Sequence, residues 1–180
     1  MLNAEPCIIL DMDGTLIARS GREPVARPHL ETFLKRCFES FKHVAIWTAA
    51  SSGWYIIVYT NVLQPILHKL GRTFSFIYTQ DKCVWKEGSW LKPLSKIWRR
   101  KTGPWADYFA TNTLLVEDTP EVCALNRSSC IIVPSYEADD PHDKTLLALS
   151  RDIPVMLAAY RKTGDIRKAI PARWRCPKKT

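Results

Sequence analysis

Residues 7–16 read CIILDMDGTL. The apolar run Cys7, Ile8, Ile9, Leu10 is short, rich in isoleucine and unbroken, the pattern of a strand buried on both faces of a parallel sheet. Such a strand needs no acids, yet it ends in Asp11 and Asp13. Side chains alternate along extended chain, so the two carboxylates leave the strand end pointing the same way, and Gly14 lets the backbone turn beneath them. One small volume then faces two negative charges.

Outward from that strand, SGREPVA is predicted to be a loop. Pro28 opens a helix whose Leu30, Phe33, Leu34, Cys37, Phe38 and Phe41 recur at helical spacing. HVAIWT is a second strand, residues 51 to about 70 are helical in two pieces broken near Pro65, and FSFIYT is a third strand. KEGSW is a tight segment before Lys92, and LSKIWRRK a short helix. NTLLVED repeats the opening design, an apolar strand ending in acids, with Pro120 starting the helix after it. CIIVPS is a further strand, Pro141 to about Arg161 form two short helices divided at Ile153 and Pro154, and RKAIPARWRCPKKT is basic. Strands alternating with helices predict an α/β fold with a parallel sheet covered on both faces, in which ligands sit beyond the carboxyl ends of the strands. Asp11, Asp13, Thr48, Glu117 and Asp118 all fall at such ends.

The 180 residues suffice for one domain with a full core. The division expected is a domain over residues 1–162 and a basic tail over 163–180. A formal net charge of +8 suits an acidic or phosphorylated partner, and nucleic acid through the basic surface is a further possibility beside a merely solvated tail. Six scattered cysteines without a CxxC pair point to reduced, mostly structural thiols and an intracellular, cytoplasmic or nuclear setting. His29, His43, His68 and His142 lie too far apart in sequence to suggest zinc. No signal peptide is read at the N-terminus, and the most membrane-like stretch, GWYIIVYTNVLQPIL, is interrupted by Thr60, Asn61, Gln64 and Pro65, so no membrane partner is expected. Composition is silent on oligomeric state.

Convergent acids stay ionised together when a hard divalent cation neutralises them, and Mg²⁺ is held through one or two carboxylates, with waters and substrate phosphate completing its shell. One carboxylate can then attack phosphorus while the other protonates the leaving group and later activates water. Thr48, closing the second strand, could hydrogen-bond a phosphate oxygen, and Lys92 could neutralise the phosphoryl group. Each of the latter two alone has a plainer reading, Thr48 as a strand-end cap and Lys92 as a solvated lysine. A calcium loop is ruled out, because its sixth-position glycine is Leu16 here and its twelfth-position glutamate is Arg22.

DMDGT, WTAAS, the lysine of WLKPLSKIW and the acidic pair of LLVEDTP stand in the order of the four motifs of the haloacid dehalogenase (HAD) superfamily, which the chain resembles. Within it, the chain is similar to the RNA polymerase II C-terminal domain (CTD) phosphatase-like group, also along RPHLETFLKRC and YTQDKCVWKEGSWLKPLSKI. The resemblance runs from about Cys7 to about Arg161. It implies a three-layer α/β/α Rossmann-like fold with a central parallel sheet and a minimal cap insertion. It also implies Asp11 as nucleophile, Asp13 as acid and base, Thr48 and Lys92 on phosphate, and Mg²⁺ held by Asp11, the Asp13 carbonyl and Asp118. Three features depart from the group. Gly14 replaces its common glutamate, Glu117 stands where aspartate is usual and reaches the metal's surroundings or Lys92, and the stretch from Leu16 to RPH is far shorter than the one that builds a small β-sheet beside the site in the group's small phosphatases. The function expected is a Mg²⁺-dependent protein phosphoserine/phosphothreonine phosphatase acting through an aspartyl-phosphate. The alternatives are a phosphatase for small molecules or nucleic-acid ends, and a non-catalytic binding protein that retains the fold.

Overall fold

The computed structural model describes residues 4–98 and 107–177. Along the chain these form β1 (Cys7–Leu10), β2 (Ile17–Ser20), β3 (Glu23–Ala26), α1 (Leu30–Ser40), β4 (His43–Trp47), α2 (Ser52–Val58), a π-helical segment (Tyr59–Leu63), α3 (Gln64–Leu70) and β5 (Ile77–Tyr78). There follow β6 (Val84–Lys86), β7 (Ser89–Leu91), β8 (Thr113–Glu117), β9 (Cys130–Ile132) and α4 (Thr145–Thr163). The central sheet has the order β5-β4-β1-β8-β9, and every pairing in it is parallel. This is the expected α/β fold with a central parallel sheet.

Alternation along the strands divides the core in two. Ile8, Leu10, Val44, Ile46, Leu114 and Val116 face α1, α4 and the helices after β4. Cys7, Ile9, Ala45, Trp47 and Leu115 face the other way, onto Leu94, Ile97, Tyr108 and Cys123. The second layer is made among the described residues by short turns and 3₁₀ segments in place of long helices.

Several expectations are corrected. SGREPVA is not a loop but most of the antiparallel β2–β3 hairpin, pairing Ile17 with Ala26 and Ser20 with Glu23 around Gly21, whose φ is 62°. Its Arg19–Pro24 pair hides the strand pattern, and a proline is tolerated there because the ribbon has only edges. KEGSW is the turn of the β6–β7 hairpin, with positive φ at Glu87 and Gly88 as a tight primed turn requires. Of FSFIYT, Ile77 and Tyr78 form β5, and Ser75 and Phe76 also hydrogen-bond to β4 through their backbone. LSKIWRRK contributes a 3₁₀ turn at Leu94–Lys96, and its arginines lie outside the described residues.

Pro65 does not divide the helix that contains it. A proline cannot donate to the carbonyl four residues back and crowds it, and the π segment just before Pro65 widens the turn enough to absorb both effects. Pro120 starts no helix: residues 119–125 form successive turns, with Val122, Cys123 and Ala124 each donating three residues back. α4 is one helix of 19 residues through Pro154. An internal proline costs roughly 3 kcal/mol, but Leu146, Leu149, Ile153, Met156, Leu157 and Tyr160 all bury on the sheet side, and that packing outweighs it.

The basic stretch after α4 does not hang free. Ile166, Ile170 and Trp174 are buried in the main core, the Ile166 amide donates to Thr111, and Arg175 bridges to Ile131 on β9. Its charges face outward while its apolar residues, spaced by four, face in. Among the described residues no helix is long and apolar enough to cross a membrane. Trp174, whose indole donates to Asp152 at 2.6 Å, tests the packing. Trp174→Ala should destabilise the protein by roughly 3–5 kcal/mol, as large aromatic truncations in cores do. Urea unfolding reads this as a lower midpoint at unchanged slope; a midpoint equal to the wild type would mean the segment contributes no core.

Candidate active site

The site begins with strand register. β1 and β8 pair in parallel with Leu10 opposite Val116, so the next residues, Asp11 and Glu117, emerge side by side, and the Asp11 amide donates to the Val116 carbonyl at 2.9 Å. One carboxylate oxygen from each of Asp11, Glu117 and Asp118 lies within 4.8 Å of the others. Asp11 and Glu117 are almost fully buried, and Asp118 is partly exposed.

After Asp11 the chain wraps around the Met12 carbonyl, which accepts the amides of Thr15, Leu16 and Ile17. That tight turn carries Gly14 at φ 74°, where a Cβ would sit 2.2 Å from Asp118 Oδ2 and 2.8 Å from Ser135 Oγ. Glycine is required here twice over, by the backbone angle and by the closeness of an acid. Arg27, at the exit of β3, holds the same turn from below. Its guanidinium is fully buried and donates to the carbonyls of Gly14, Thr15 and Pro134, and in bidentate form to Asp143.

Asp13 points into the same cavity as Asp11. Its Oδ1 accepts two hydrogen bonds, from Arg19 Nε at 2.8 Å and from Trp54 Nε1 at 2.8 Å, while its buried Oδ2 has no partner. The Arg19 guanidinium lies 4.0 Å above the centre of the Trp54 ring, so the pair that holds Asp13 also holds itself. Neither residue is visible as a site residue in the sequence. The alternation of IARS and EPVA about a Gly-Arg turn was the signal that would have put Arg19 on a strand beside the acids.

Thr48 follows β4 at the same sheet edge, is buried, and its Oγ1 accepts the Ala50 amide at 3.0 Å. Lys92 follows β7, is fully buried, and its ammonium donates to Asp11 and, at 3.1 Å, to Glu117. The structure thus brings together every residue singled out in the sequence. Asp11, Asp13, Thr48, Glu117 and Asp118 line one open cavity of about 290 Å³ with Arg19, Thr119 and Val122, and Lys92 is buried against its acids.

Electrostatics make this cluster short of positive charge. Burial pushes the Asp11 carboxyl upward against the Lys92 charge, and burial together with the Asp11 charge pushes Glu117 well above the ordinary carboxylate range. Burial alone would lower Lys92, but Asp11 and Glu117 more than reverse it and leave the ammonium raised. Three carboxylates against one ammonium leave a formal charge of −2. All the donors are hard oxygens, which fits a small divalent cation such as Mg²⁺.

A sequence model of the NLI interacting factor-like phosphatases matches residues 6–154. The chain belongs to that family. It is 25% identical over 169 residues to a CTD phosphatase-like protein, 355R, of Invertebrate iridescent virus 3, covering 79% of this chain and 90% of the viral one. It is 27% identical over 183 residues to CTD small phosphatase-like protein 2 of Dictyostelium discoideum, covering 91% of this chain but 29% of that much longer protein. Among solved structures, Fcp1, described as an essential RNA polymerase II CTD phosphatase, superposes with a TM-score of 0.67 at 14% identity, over 94% of this chain and 70% of that one, a likeness of fold. The family match confirms a HAD-type, CTD phosphatase-like chain.

Gly14→Ala tests the close approach of the turn to Asp118. The new methyl must displace the carboxylate and sits at a strained backbone angle, so the variant should be less stable and, under conditions where it is folded, its Mg²⁺ affinity, titrated by calorimetry, should drop at least about tenfold, the range for disturbed metal surroundings. Unchanged affinity would mean that the turn yields and that Asp118 is not confined there.

Proposed function

We propose that this family member is a Mg²⁺-dependent phosphomonoesterase that works through an aspartyl-phosphate and acts on phosphoserine or phosphothreonine in proteins. The observation that carries this reading is the division of labour between Asp11 and Asp13. Asp11 is buried against Lys92, which keeps its carboxylate oriented, whereas Asp13 lines the cavity, is held through Oδ1 by Arg19 and Trp54, and has its buried Oδ2 without a hydrogen-bond partner. That is what a nucleophile and a proton donor respectively need.

In the proposed reaction an Asp11 carboxylate oxygen attacks phosphorus. Asp13, fixed through Oδ1 by Arg19 and Trp54, delivers a proton to the departing oxygen. A water then takes the place of the leaving group, Asp13 accepts its proton, and the phosphate leaves Asp11. Thr48 at the mouth of β4 and Lys92 against Asp11 are the groups assigned to the transferred phosphoryl, and Glu117 holds Lys92 from behind. Mg²⁺, when bound by Asp11, the Asp13 carbonyl and Asp118, offsets the charge that builds on the phosphoryl oxygens. A complete set of acids, with its buried lysine, favours turnover over a role confined to binding. The names of the relatives and the positive charge of the chain favour a phosphorylated protein as substrate.

The deciding experiment is hydrolysis of an aryl phosphate with and without Mg²⁺. Wild type should require the ion, Asp11→Asn should be inactive though folded, and Asp118→Ala should need much more Mg²⁺. Near wild-type turnover by Asp11→Asn would remove the covalent mechanism. Asp13→Asn separates the two acids. It should slow alkyl phosphates, including phosphoserine peptides, by about 10²–10⁴-fold, and activated aryl phosphates far less in single-turnover phosphorylation. Equal losses for both leaving groups would deny Asp13 the proton-donor role.

A further inference from the structure

The cavity in front of Asp11 and Asp13 offers a phosphorylated chain very little free positive charge. Lys92 is fully buried, and its ammonium is taken up by Asp11 and Glu117. Arg27 is equally buried, beneath the turn after β1, and is committed to the carbonyls of Gly14, Thr15 and Pro134 and to Asp143. Among the described residues Arg19 is the only cation that lines the cavity, and its side chain is half-exposed.

The neighbours of Arg19 decide which part of it a substrate can reach. Its Nε donates to Asp13 Oδ1 at 2.8 Å, and its guanidinium carbon lies 4.0 Å from the centre of the Trp54 ring. Trp54 is tied to the same Asp13 oxygen through its indole N–H, also at 2.8 Å. The Nε of the guanidinium is thus held by Asp13, and one face is covered by the indole. Among the described residues neither Nη1 nor Nη2 has a hydrogen-bond partner. Those two nitrogens form a two-pronged donor, the shape that binds a carboxylate or a phosphate in bidentate form.

Charge balance agrees with this. Asp13 is the anion that neutralises Arg19 in the structure. In the proposed reaction Asp13 holds a proton when the leaving oxygen departs, and it is then neutral. Arg19 at that moment is a cation without a counter-ion, standing beside the leaving group. A substrate that brings its own anion to the Nη atoms restores the balance and leaves Nε on Asp13. The scissile phosphoryl is already assigned to Thr48 and Lys92, so the Nη atoms are left for a neighbouring group.

We propose that Arg19 is a specificity-determining residue that reads a second anion on the leaving-group side of the substrate, the carboxylate or phosphate of a residue beside the scissile phosphoserine or phosphothreonine. This selection rests on the phosphatase reading of the site and narrows its substrates to acidic or multiply phosphorylated segments. Arg19 Nε is one hydrogen bond from Asp13, and Asp13 is one hydrogen bond from the leaving oxygen in the proposed reaction. Such a span matches one or two extended residues, at about 3.4 Å each, which limits the second anion to a near neighbour. A half-exposed ion pair contributes little and a bidentate one somewhat more, so the second anion should raise kcat/KM about fivefold, mostly through KM. A phosphate, with nearly two charges at neutral pH, should exceed a carboxylate.

Three phosphoserine peptides test this, identical except for the residue next to the scissile one: alanine, aspartate or a non-hydrolysable phosphonate analogue of phosphoserine. Wild type with Mg²⁺ should prefer the aspartate peptide over the alanine peptide about fivefold and the phosphonate peptide by more, and both preferences should shrink as salt rises from about 0.05 to 0.5 M. Arg19→Gln should lose about ten- to hundredfold in kcat on every peptide, because Asp13 is no longer held, and its three kcat/KM values should converge. Arg22→Gln, at the exposed turn of the same hairpin and outside the cavity, should keep both the rates and the order. A preference that survives in Arg19→Gln would belong to the general positive charge of the chain. A KM raised alike on all three peptides would place Arg19 on the scissile phosphoryl, and no preference in wild type would leave it only the bracing of Asp13. Each of these results overturns the proposal. Binding separates it from the phosphatase reading: with the phosphonate analogue also at the scissile position, calorimetry on the Mg²⁺-loaded protein should show the same order of affinities, lost in Arg19→Gln. If wild type hydrolyses none of the peptides but keeps that order in binding, the phosphatase reading fails and the assignment of Arg19 stands. Hydrolysis without the order does the reverse.

Discussion

Negative charge held out of water is the constraint around which the molecule is organised. Carboxylates with oxygens within 4.8 Å of one another, if all ionised, repel by on the order of 3 kcal/mol per pair at an effective dielectric of 20, so three of them approach the whole stability of a typical domain. Lys92 meets part of that repulsion from inside the protein, which is why a lysine with no exposed surface is tolerated at all. Its position follows from the β6–β7 hairpin, whose tight turn returns the chain so that the residue after Leu91 enters between Asp11 and Glu117. The hairpin is peripheral to the sheet, yet the acids depend on it.

A second buried cation fixes the geometry where the first fixes the charge. Arg27 joins the turn after β1 to the chain beyond β9 and to Asp143 near the start of α4, and the Tyr136 amide adds a hydrogen bond to the Gly14 carbonyl. Four segments distant in sequence are thereby locked beneath Asp11 and Asp13. Arginine suits this place because its planar fork can serve three carbonyls and a carboxylate at once, which a lysine could not.

What was legible in the sequence is what periodicity and strand-end chemistry encode. The apolar runs of β1, β4, β8 and β9 announce a parallel sheet, and the acids that close β1 and β8 announce the site, since both signals lie within a few consecutive residues. The misreadings share a different cause. The β2–β3 hairpin is short, polar and proline-containing, so its pairing depends on partners rather than on pattern. Pro65 and Pro154 read as breaks because local propensity opposes them, and only the packed faces of the helices, unseen in sequence, overrule it. Ile166, Ile170 and Trp174 were hidden among arginines and lysines whose side chains point outward while theirs point in. Trp54 escapes a sequence reading as a partner of Asp13 because it lies 41 residues away, and Arg19 because the short strand that carries it has no clear strand pattern. That Cys123 and Cys130 share one buried cluster, against which Cys176 packs, is likewise a product of the fold, since nothing in their spacing brings them together.

The way Asp13 is held has a consequence for substrate selection. In a chain with a long insertion beside the site, one set of residues can shape the substrate and another can orient the acid. Here the cavity wall on that side is the short β2–β3 hairpin, and its Arg19 both lines the cavity and, stacked on Trp54, grips Asp13 Oδ1. Arg19 is half exposed, with its side chain at 51% of full accessibility, so its charge is available to a phosphorylated ligand entering the cavity. Any substrate group that draws the guanidinium away from Asp13 loosens the acid, and any that leaves the stack in place meets Asp13 fully oriented. In the proposed reaction, recognition and proton transfer would be joined through one side chain, carried by a hairpin of only eight strand residues.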